Sequence, residues 1–378
     1  MKLLPNTKEI KVCILTSIHL VFDTRIFHRE AKTLAKAGYK VILITCHNKE
    51  EVIDGIRMVP SSFPKNRFFR FFINSLKIFK LAMKQKASVY HFHDPELILV
   101  GFFLKFFTKA KIIYDVHEEV SKDILSKEWI PKYLRRIISI IFDFCEKQMA
   151  KKFDCIIAAT PYIAKTFKQE KVVLVSNYPI LEYFKKTKNS SVKNGIYTII
   201  YCGDMTRVRG IKEIVQALKF IHCKQGIKLK LIGRVALKNF ETEIRNIKEW
   251  NKVEYFAWMP HEENIKHLLD ADCGLVCFQP APNQINAMPR KMFEYMAASL
   301  PVIASNFSLW KEIIEGNKCG ICVDPLNPKE IAKAIDYLIE HPQDARRMGE
   351  NGRKAILEKY NWENESVKLL NLYDKLVR

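Results

Sequence analysis

The chain has 378 residues, 48% of them apolar and 27% charged, with a formal net charge of +21. That length predicts two domains rather than one core, and that apolar content excludes a disordered chain. The longest apolar stretch, residues 97–108, is broken by Lys105 and falls short of the roughly 18 residues of a membrane span, so it reads as a buried helix. The opening "MKLLPNTKEIKV" lacks the apolar core of a secretory signal, and a cytoplasmic protein is expected. The charge is uneven: residues 1–200 hold 35 Lys and Arg against 18 Asp and Glu, and the remainder 27 against 23. Such a field draws phosphorylated ligands, anionic membrane or nucleic acid.

In chain order, short runs rich in Val and Ile fall at residues 11–16, 40–46, 89–93, 111–116 and 155–158. Helical patterns separate them at 27–37, 68–86, 96–107 and 133–150. This alternation predicts parallel strands joined by crossover helices. Residues 55–93 contain eight basic side chains and no acidic one. Arg67, Arg70, Lys77, Lys80 and Lys84 recur at helical spacing, with Phe68, Phe72, Leu76, Phe79 and Met83 as the apolar side. That is the pattern of a helix lying on an anionic membrane surface, or of an ordinary solvated helix. The aromatics are not interleaved with the cations as a stacking platform requires, so no nucleic acid is expected.

The polar segment 185–195, "KKTKNSSVKNG", has linker composition. Alternation then restarts, with strands expected at 198–202, 228–232, 253–257, 274–278, 302–304 and 321–323 and a last helix at 363–376. The expected division is 1–185 plus a returning helix 361–378 for the first domain, and 196–360 for the second. Among ten cysteines, Cys319 and Cys322 form a CxxC, but no second pair or paired histidines answer it, and strand burial is the expected role. Neither a G-x-G-x-x-G after a strand nor a Walker loop is present.

In doubly wound sheets ligands bind at the carboxyl ends of the strands, so the residues there carry the chemistry. Asp23 and Arg25 lie in the first such loop and either contact an acceptor or cap a helix. His93 and Asp94 follow the 89–93 run, His117 and Glu118 the 111–116 run; His91 reads as a core histidine. In the second half "GDMTRVRG" places Gly203, Arg207 and Arg209 after a strand, where a glycine admits close approach and arginines fork onto phosphate. Asp270 and Asp272 resemble a D-x-D but read as structural at a helix–strand junction. In "INAMPRKMFEYMAASLPVIAS" Pro289 opens a helix whose start is an anion site, with Arg290 and Lys291 adding charge. Lys291 and Glu294 are three apart on one face. They would serve a diphosphate and a ribose, or form a mere surface pair.

Taken together, "FDTRIFHREAKTLAKAGYKVILI", "VYHFHDPEL", "IIYDVHE", "GDMTRVRGI" and "PRKMFEYMAASLPVIAS" resemble the GT-B glycosyltransferases of family 4, or group 1, over nearly the whole chain. The resemblance implies an α/β GT-B fold, two Rossmann-like doubly wound parallel-sheet domains facing a cleft, with the final helix crossing back to the first domain. It implies a nucleotide diphosphate sugar as donor, retention of configuration, and neither metal nor cofactor. By position Glu294 would bind the donor ribose, Arg209 would replace a phosphate-binding lysine, and His117 would lie near the transferred sugar. Asn286, Ala287 and Met288 in the turn 286–289 would meet diphosphate and sugar, while Gly233, Arg234 and Met259 would flank the base. The family pattern has two glutamates separated by seven residues; here the earlier one is Asn286, and Asp204 stands where an arginine is usual. The expected activity is sugar transfer to a hydroxyl of a lipid-linked or polysaccharide acceptor, in bacterial capsule, lipopolysaccharide or exopolysaccharide synthesis, at the inner face of the membrane through helix 67–86. A nucleotide-sugar epimerase of the same fold, or a non-catalytic subunit binding membrane or a partner, are the alternatives.

Overall fold

The computed structural model describes residues 10–63, 66, 69–127, 130–185 and 195–378. Arg67 and Phe68 of the basic stripe, and most of the expected linker, lie outside these residues, as does the side chain of Arg70. Two compact units form: Met1–Asn177 with Glu363–Arg378, and Tyr178–Trp362. The division thus falls ahead of the polar segment. Tyr178 and Phe184 pack into the second core, and Arg353 Nη2 donates to the Phe184 carbonyl at 2.9 Å.

The first sheet comprises β1 (Lys11–Leu20), β2 (Lys40–Cys46), β3 (Glu51–Ile53), β4 (Ile56–Ser61), β5 (Val89–Phe92), β6 (Lys111–Val116), β7 (Cys155–Ala158) and β8 (Val172–Leu174). Their order is β3-β4-β2-β1-β5-β6-β7-β8, and only the β3–β4 pair is antiparallel. The sequence pattern missed β3 and β8, which are three-residue edge strands, and β4, whose apolar run is interrupted by Arg57 and Pro60. The central strands are legible because helices cover both faces of a parallel sheet, which selects unbroken Val/Ile runs. Val12, Cys13, Ile14 and Leu15 of β1 are all fully buried, with Val12 in register with Val41 and Val89.

The second sheet comprises β9 (Ile196–Cys202), β10 (Gly226–Ile232), β11 (Val253–Phe256), β12 (Cys273–Val276), β13 (Val302–Ser305) and β14 (Gly320–Val323), ordered β11-β10-β9-β12-β13-β14 and wholly parallel. In both sheets the order reverses beside the first strand, between β1 and β5 and between β9 and β12. Loops leaving those strands splay apart there and open a crevice.

The last helix, Trp362–Val377, joins the first unit: Glu365 accepts from the Ser176 amide at 2.8 Å, and the buried Tyr373 hydroxyl meets His91 Nδ1 at 2.9 Å. The helix Ile98–Phe107 differs from its expected burial. Leu99, Phe103, Phe106 and Phe107 are exposed while Ile98, Val100 and Leu104 pack inward. No helix among the described residues is long and apolar enough to cross a membrane. Cys319 is buried and Cys322 half-buried, neither is in a disulfide, and burial pushes both thiols up to about 12.

Candidate functional site

In the second unit the crevice is built by the loops after β9, β10 and β12. Gly203 follows β9 with φ +123°, in the left-handed half of backbone space. A Cβ there would lie 2.9 Å from Lys291 Nζ and 3.6 Å from Arg209 Nη1, so the two cations converge on this glycine. Gly233 after β10 has φ +140°, and a Cβ would meet the Gly203 carbonyl at 2.3 Å; the two loops touch backbone to backbone. Lys291 comes from the first turn of the helix Arg290–Ala297. Its ammonium is buried, has no hydrogen-bond partner among the described residues, and lies 3.6 Å from the Tyr201 ring centroid. Burial first, then the Arg209 charge, pulls it well below the ordinary lysine range. An amine so placed lacks only an anion.

Glu294, one turn further on, is buried too, which removes the exposed Lys–Glu pair as an explanation. Its Oε1 is held by Arg290 Nε at 2.9 Å and His261 Nε2 at 2.8 Å. His261 opens the helix His261–Leu269, packs edge-on against Tyr183, and was not singled out from the sequence. Asn286, Ala287 and Met288 are half-buried, and Trp310 Nε1 donates to the Ala287 carbonyl at 2.7 Å, which anchors the turn ahead of the helix. Met259 is half-buried against the core, and Arg234 is exposed beside Asp204 at 3.5 Å. Arg207 is engaged elsewhere: it pairs with Glu243 and lies over the Phe240 ring. It therefore does not replace the cation missing at Asp204, and Arg209 alone of the two joins Lys291.

In the first unit the strand-end residues form a buried polar cluster. Arg25 forks onto Asp115 with Nη2···O distances of 3.0 and 2.8 Å and lies 3.1 Å from Glu30. Burial opposes an ionised Asp115, but the Arg25 charge prevails and holds it well below the usual carboxylate range. Burial, then the Asp115 charge, pushes Glu30 well above that range. Asp94 accepts from Thr16, the Ser17 amide and the Ser17 hydroxyl, and faces His19 Nδ1 at 3.1 Å. Arg25, His93 and Asp94 are thus structural interior here, not groups open to an acceptor. Asp23 takes amide bonds from Arg25 and Ile26 and starts the turn Ile26–Ala31, which supports its capping role. His117 and Glu118 remain accessible, and His117 Nδ1 sits 3.6 Å from Asp115 Oδ1.

Residues 24–177 match the family described as Glycosyltransferase Family 4, and residues 183–355 that described as Glycosyl transferases group 1. The chain belongs to the group 1 glycosyltransferases. A capsular polysaccharide biosynthesis glycosyltransferase, CapM of Staphylococcus aureus, is 24% identical over 320 residues, covering 80% of each chain. Sucrose-phosphate synthase from Thermosynechococcus elongatus superposes with a TM-score of 0.79 at 20% identity, covering 97% of this chain and 99% of its own. Anabaena HepE in complex with UDP gives 0.71 at 13% identity over 97% and 100%. These likenesses establish the GT-B fold for this glycosyltransferase.

Of the residues singled out from the sequence of the glycosyltransferase, Gly203, Arg209 and Lys291 lie together in the structure, with Glu294 one turn along the helix; a glycine after an apolar strand and a proline at a helix start are local signals. Sequence reading missed Glu30, His19, His261 and Tyr373. Glu30 and Tyr373 lie inside amphipathic helical patterns, and nothing local marks either as facing a polar interior.

Proposed function

We propose that this glycosyltransferase takes its sugar from a nucleoside diphosphate sugar and delivers it to a hydroxyl of a lipid-linked or polysaccharide acceptor. In the reaction the bond from anomeric carbon to phosphate oxygen breaks, a bond to the acceptor oxygen forms, and nucleoside diphosphate and a proton are released. The observation that carries the reading is the buried Lys291 ammonium, without a hydrogen-bond partner among the described residues, beside Arg209 and Gly203. A diphosphate supplies what that amine lacks, and charge building on the leaving group would meet fixed cations in a dry setting, where such stabilisation is strongest. Glu294, pre-oriented by His261 and Arg290, would accept the ribose hydroxyls. Gly233, Arg234 and Met259 would flank the base. Asn286 would bond a sugar hydroxyl, with Ala287 and Met288 lining its turn, and His117 would act on the transferred sugar with retention.

The UDP bound by HepE and the capsular role of CapM support the donor and acceptor classes. No metal or cofactor is assigned to the reaction. Thermal melts with a panel of nucleoside diphosphates would identify the base. Arg209→Ala and Glu294→Ala should each lower turnover at least about tenfold, a loss of about 1.4 kcal/mol in transition-state binding, while leaving the fold intact. Unchanged turnover in both would refute the assignment.

Attachment to the inner face of an anionic membrane is part of the same proposal. Lys77, Lys80 and Lys84 on the helix Ser75–Gln85 are exposed together with Phe71, Phe72 and Leu76. The helix Ile98–Phe107 packs beside it and against Lys132–Ala150, which exposes Tyr133, Ile137, Ile140, Ile141 and Phe144 near Arg135 and Arg136. Apolar side chains among cations suit a bilayer headgroup layer, where each Lys or Arg adds about 1 kcal/mol. Sedimentation with phosphatidylglycerol vesicles should be lost on reversing Arg67, Arg70 and Lys77 to Glu together. Undiminished binding by that variant, or no binding by the wild type, would count against it.

A further inference from the structure

The polar interior of the first unit contains more ligand atoms than its hydrogen bonds use. Glu30, His91, His93 and Asp115 each offer one atom within 4.8 Å of the others, and all four are buried. His91 lies in β5 and His93 just after it, two residues apart and so on one face; Asp115 lies in the adjacent β6; Glu30 reaches them from the turn Ile26–Ala31. Among the described residues His91 Nε2, both nitrogens of His93 and Glu30 Oε2 have no hydrogen-bond partner, at zero side-chain exposure, while Glu30 Oε1 is ion-paired with Arg25 Nε at 3.1 Å.

Their spacing is informative. His93 Nε2 to Glu30 Oε2 is 3.3 Å, His91 Nε2 to Asp115 Oδ2 is 3.5 Å, and His91 Nε2 to Glu30 Oε2 is 3.9 Å. Two of these exceed the range of good N–H···O bonds and the third is at its edge. Ligands bound to one tetrahedral ion at 2.0–2.1 Å stand about 3.3 Å apart. A proton placed on Glu30 satisfies one imidazole nitrogen and leaves His91 Nε2 and His93 Nδ1 with only long contacts to Asp115 Oδ2, at 3.5 and 3.7 Å. One cation satisfies four atoms together. The surrounding bonds are those of a supported centre: His91 Nδ1 is fixed by the Tyr373 hydroxyl at 2.9 Å, and Arg25 forks onto Asp115 from outside. Two imidazoles and two carboxylates at this spacing are a donor set for a first-row divalent ion of the zinc class.

We propose that Glu30, His91, His93 and Asp115 bind one zinc-class divalent cation inside the first unit. The ion ties β5, β6, the Ile26–Ala31 turn and, through Tyr373, the last helix into one rigid block. It holds Asp115 in place behind His117 without reaching the sugar or the diphosphate, so it takes no part in bond making or breaking. This site stands independently of the donor site in the second unit.

The test uses the full chain. Protein is unfolded with chelator, refolded with or without zinc, and passed through desalting before elemental analysis. The expected result is about one zinc per chain, a higher melting temperature for the zinc-loaded form, and visible ligand-field bands when cobalt replaces zinc. His93→Gln with Glu30→Gln should lose the metal and the cobalt spectrum. If that variant fails to fold, the wild-type arms decide alone. A wild type that refolds to the same melting temperature without zinc and retains less than one-tenth equivalent, or a variant that retains zinc as the wild type does, overturns the proposal. The cluster is then closed by protons and water. Donor binding by the zinc-free protein separates this failure from failure of the donor site.

Discussion

Replacing Lys291 by Met keeps the length of the side chain and removes its charge. Lys291 is 8% exposed as a residue, and its ammonium is buried and has no hydrogen-bond partner among the described residues. A buried polar group left unsatisfied costs about 1–3 kcal/mol. The Tyr201 ring, 3.6 Å away, returns about 0.5–2 kcal/mol of that through cation–π attraction. On balance Lys291→Met should leave the ligand-free protein as stable as the wild type or about 1–2 kcal/mol more stable, at about 2–4 °C per kcal/mol for a unit of this size. With nucleotide the sign reverses. Losing a charge-assisted bond to diphosphate costs about 1.5–3 kcal/mol, or roughly 10- to 150-fold in affinity. Calorimetric melts without nucleotide and with UDP at fixed concentration, together with titration calorimetry, read both quantities. A Met variant that is clearly less stable without nucleotide and binds UDP as the wild type does would refute the reasoning. Lys291 would then be a structural group and not a ligand.

Further expectations concern both units. Burial disfavours a charged His19, but the Asp94 carboxylate prevails and holds it up at about 9. That contribution, of order 3 kcal/mol, is complete below about pH 6.5 and lost as pH rises through 9, so wild-type melting temperatures should fall over that window more steeply than those of His19→Gln. Arg25→Met leaves Asp115 without its guanidinium and should cost about 3–5 kcal/mol in urea unfolding; Arg25→Lys, lacking the fork, should recover only part. Gly203→Ala puts a methyl against Lys291 Nζ at a strained φ and should weaken nucleotide binding at least about tenfold with about 1–3 kcal/mol of destabilisation, both read by calorimetry. Trp310→Phe frees the Ala287 carbonyl and leaves a gap at a fully buried position, so it should weaken donor binding several-fold in titration calorimetry and cost about 1–3 kcal/mol in urea unfolding.

The alternation of apolar runs with helical patterns determined the fold of this protein from sequence, because strands covered on both faces select continuous Val and Ile whatever their neighbours. It located β1, β2, β5, β6 and β7 and all six strands of the second sheet to within a few residues, while the three-residue edge strands β3 and β8, and β4 beside β3 with its Arg57 and Pro60, carried no such signature. The donor-side candidates were legible from local signals: Gly203 follows β9 directly, where chain geometry sends strand ends to the crevice, and Pro289, in the loop after β12, marks the helix start at Arg290. What the tertiary structure decided was which polar groups meet. Arg207 and Arg209 are equivalent on paper, and only packing gives one to Glu243 and the other to Lys291. Glu294 and Lys291 share a helical face, yet Glu294 pairs with Arg290 and His261. Arg25 and Asp115 stand ninety positions apart, His91 and Tyr373 farther still. Contacts across such separations leave no local periodicity, so neither the buried quartet nor its supports could be read before the chain was folded.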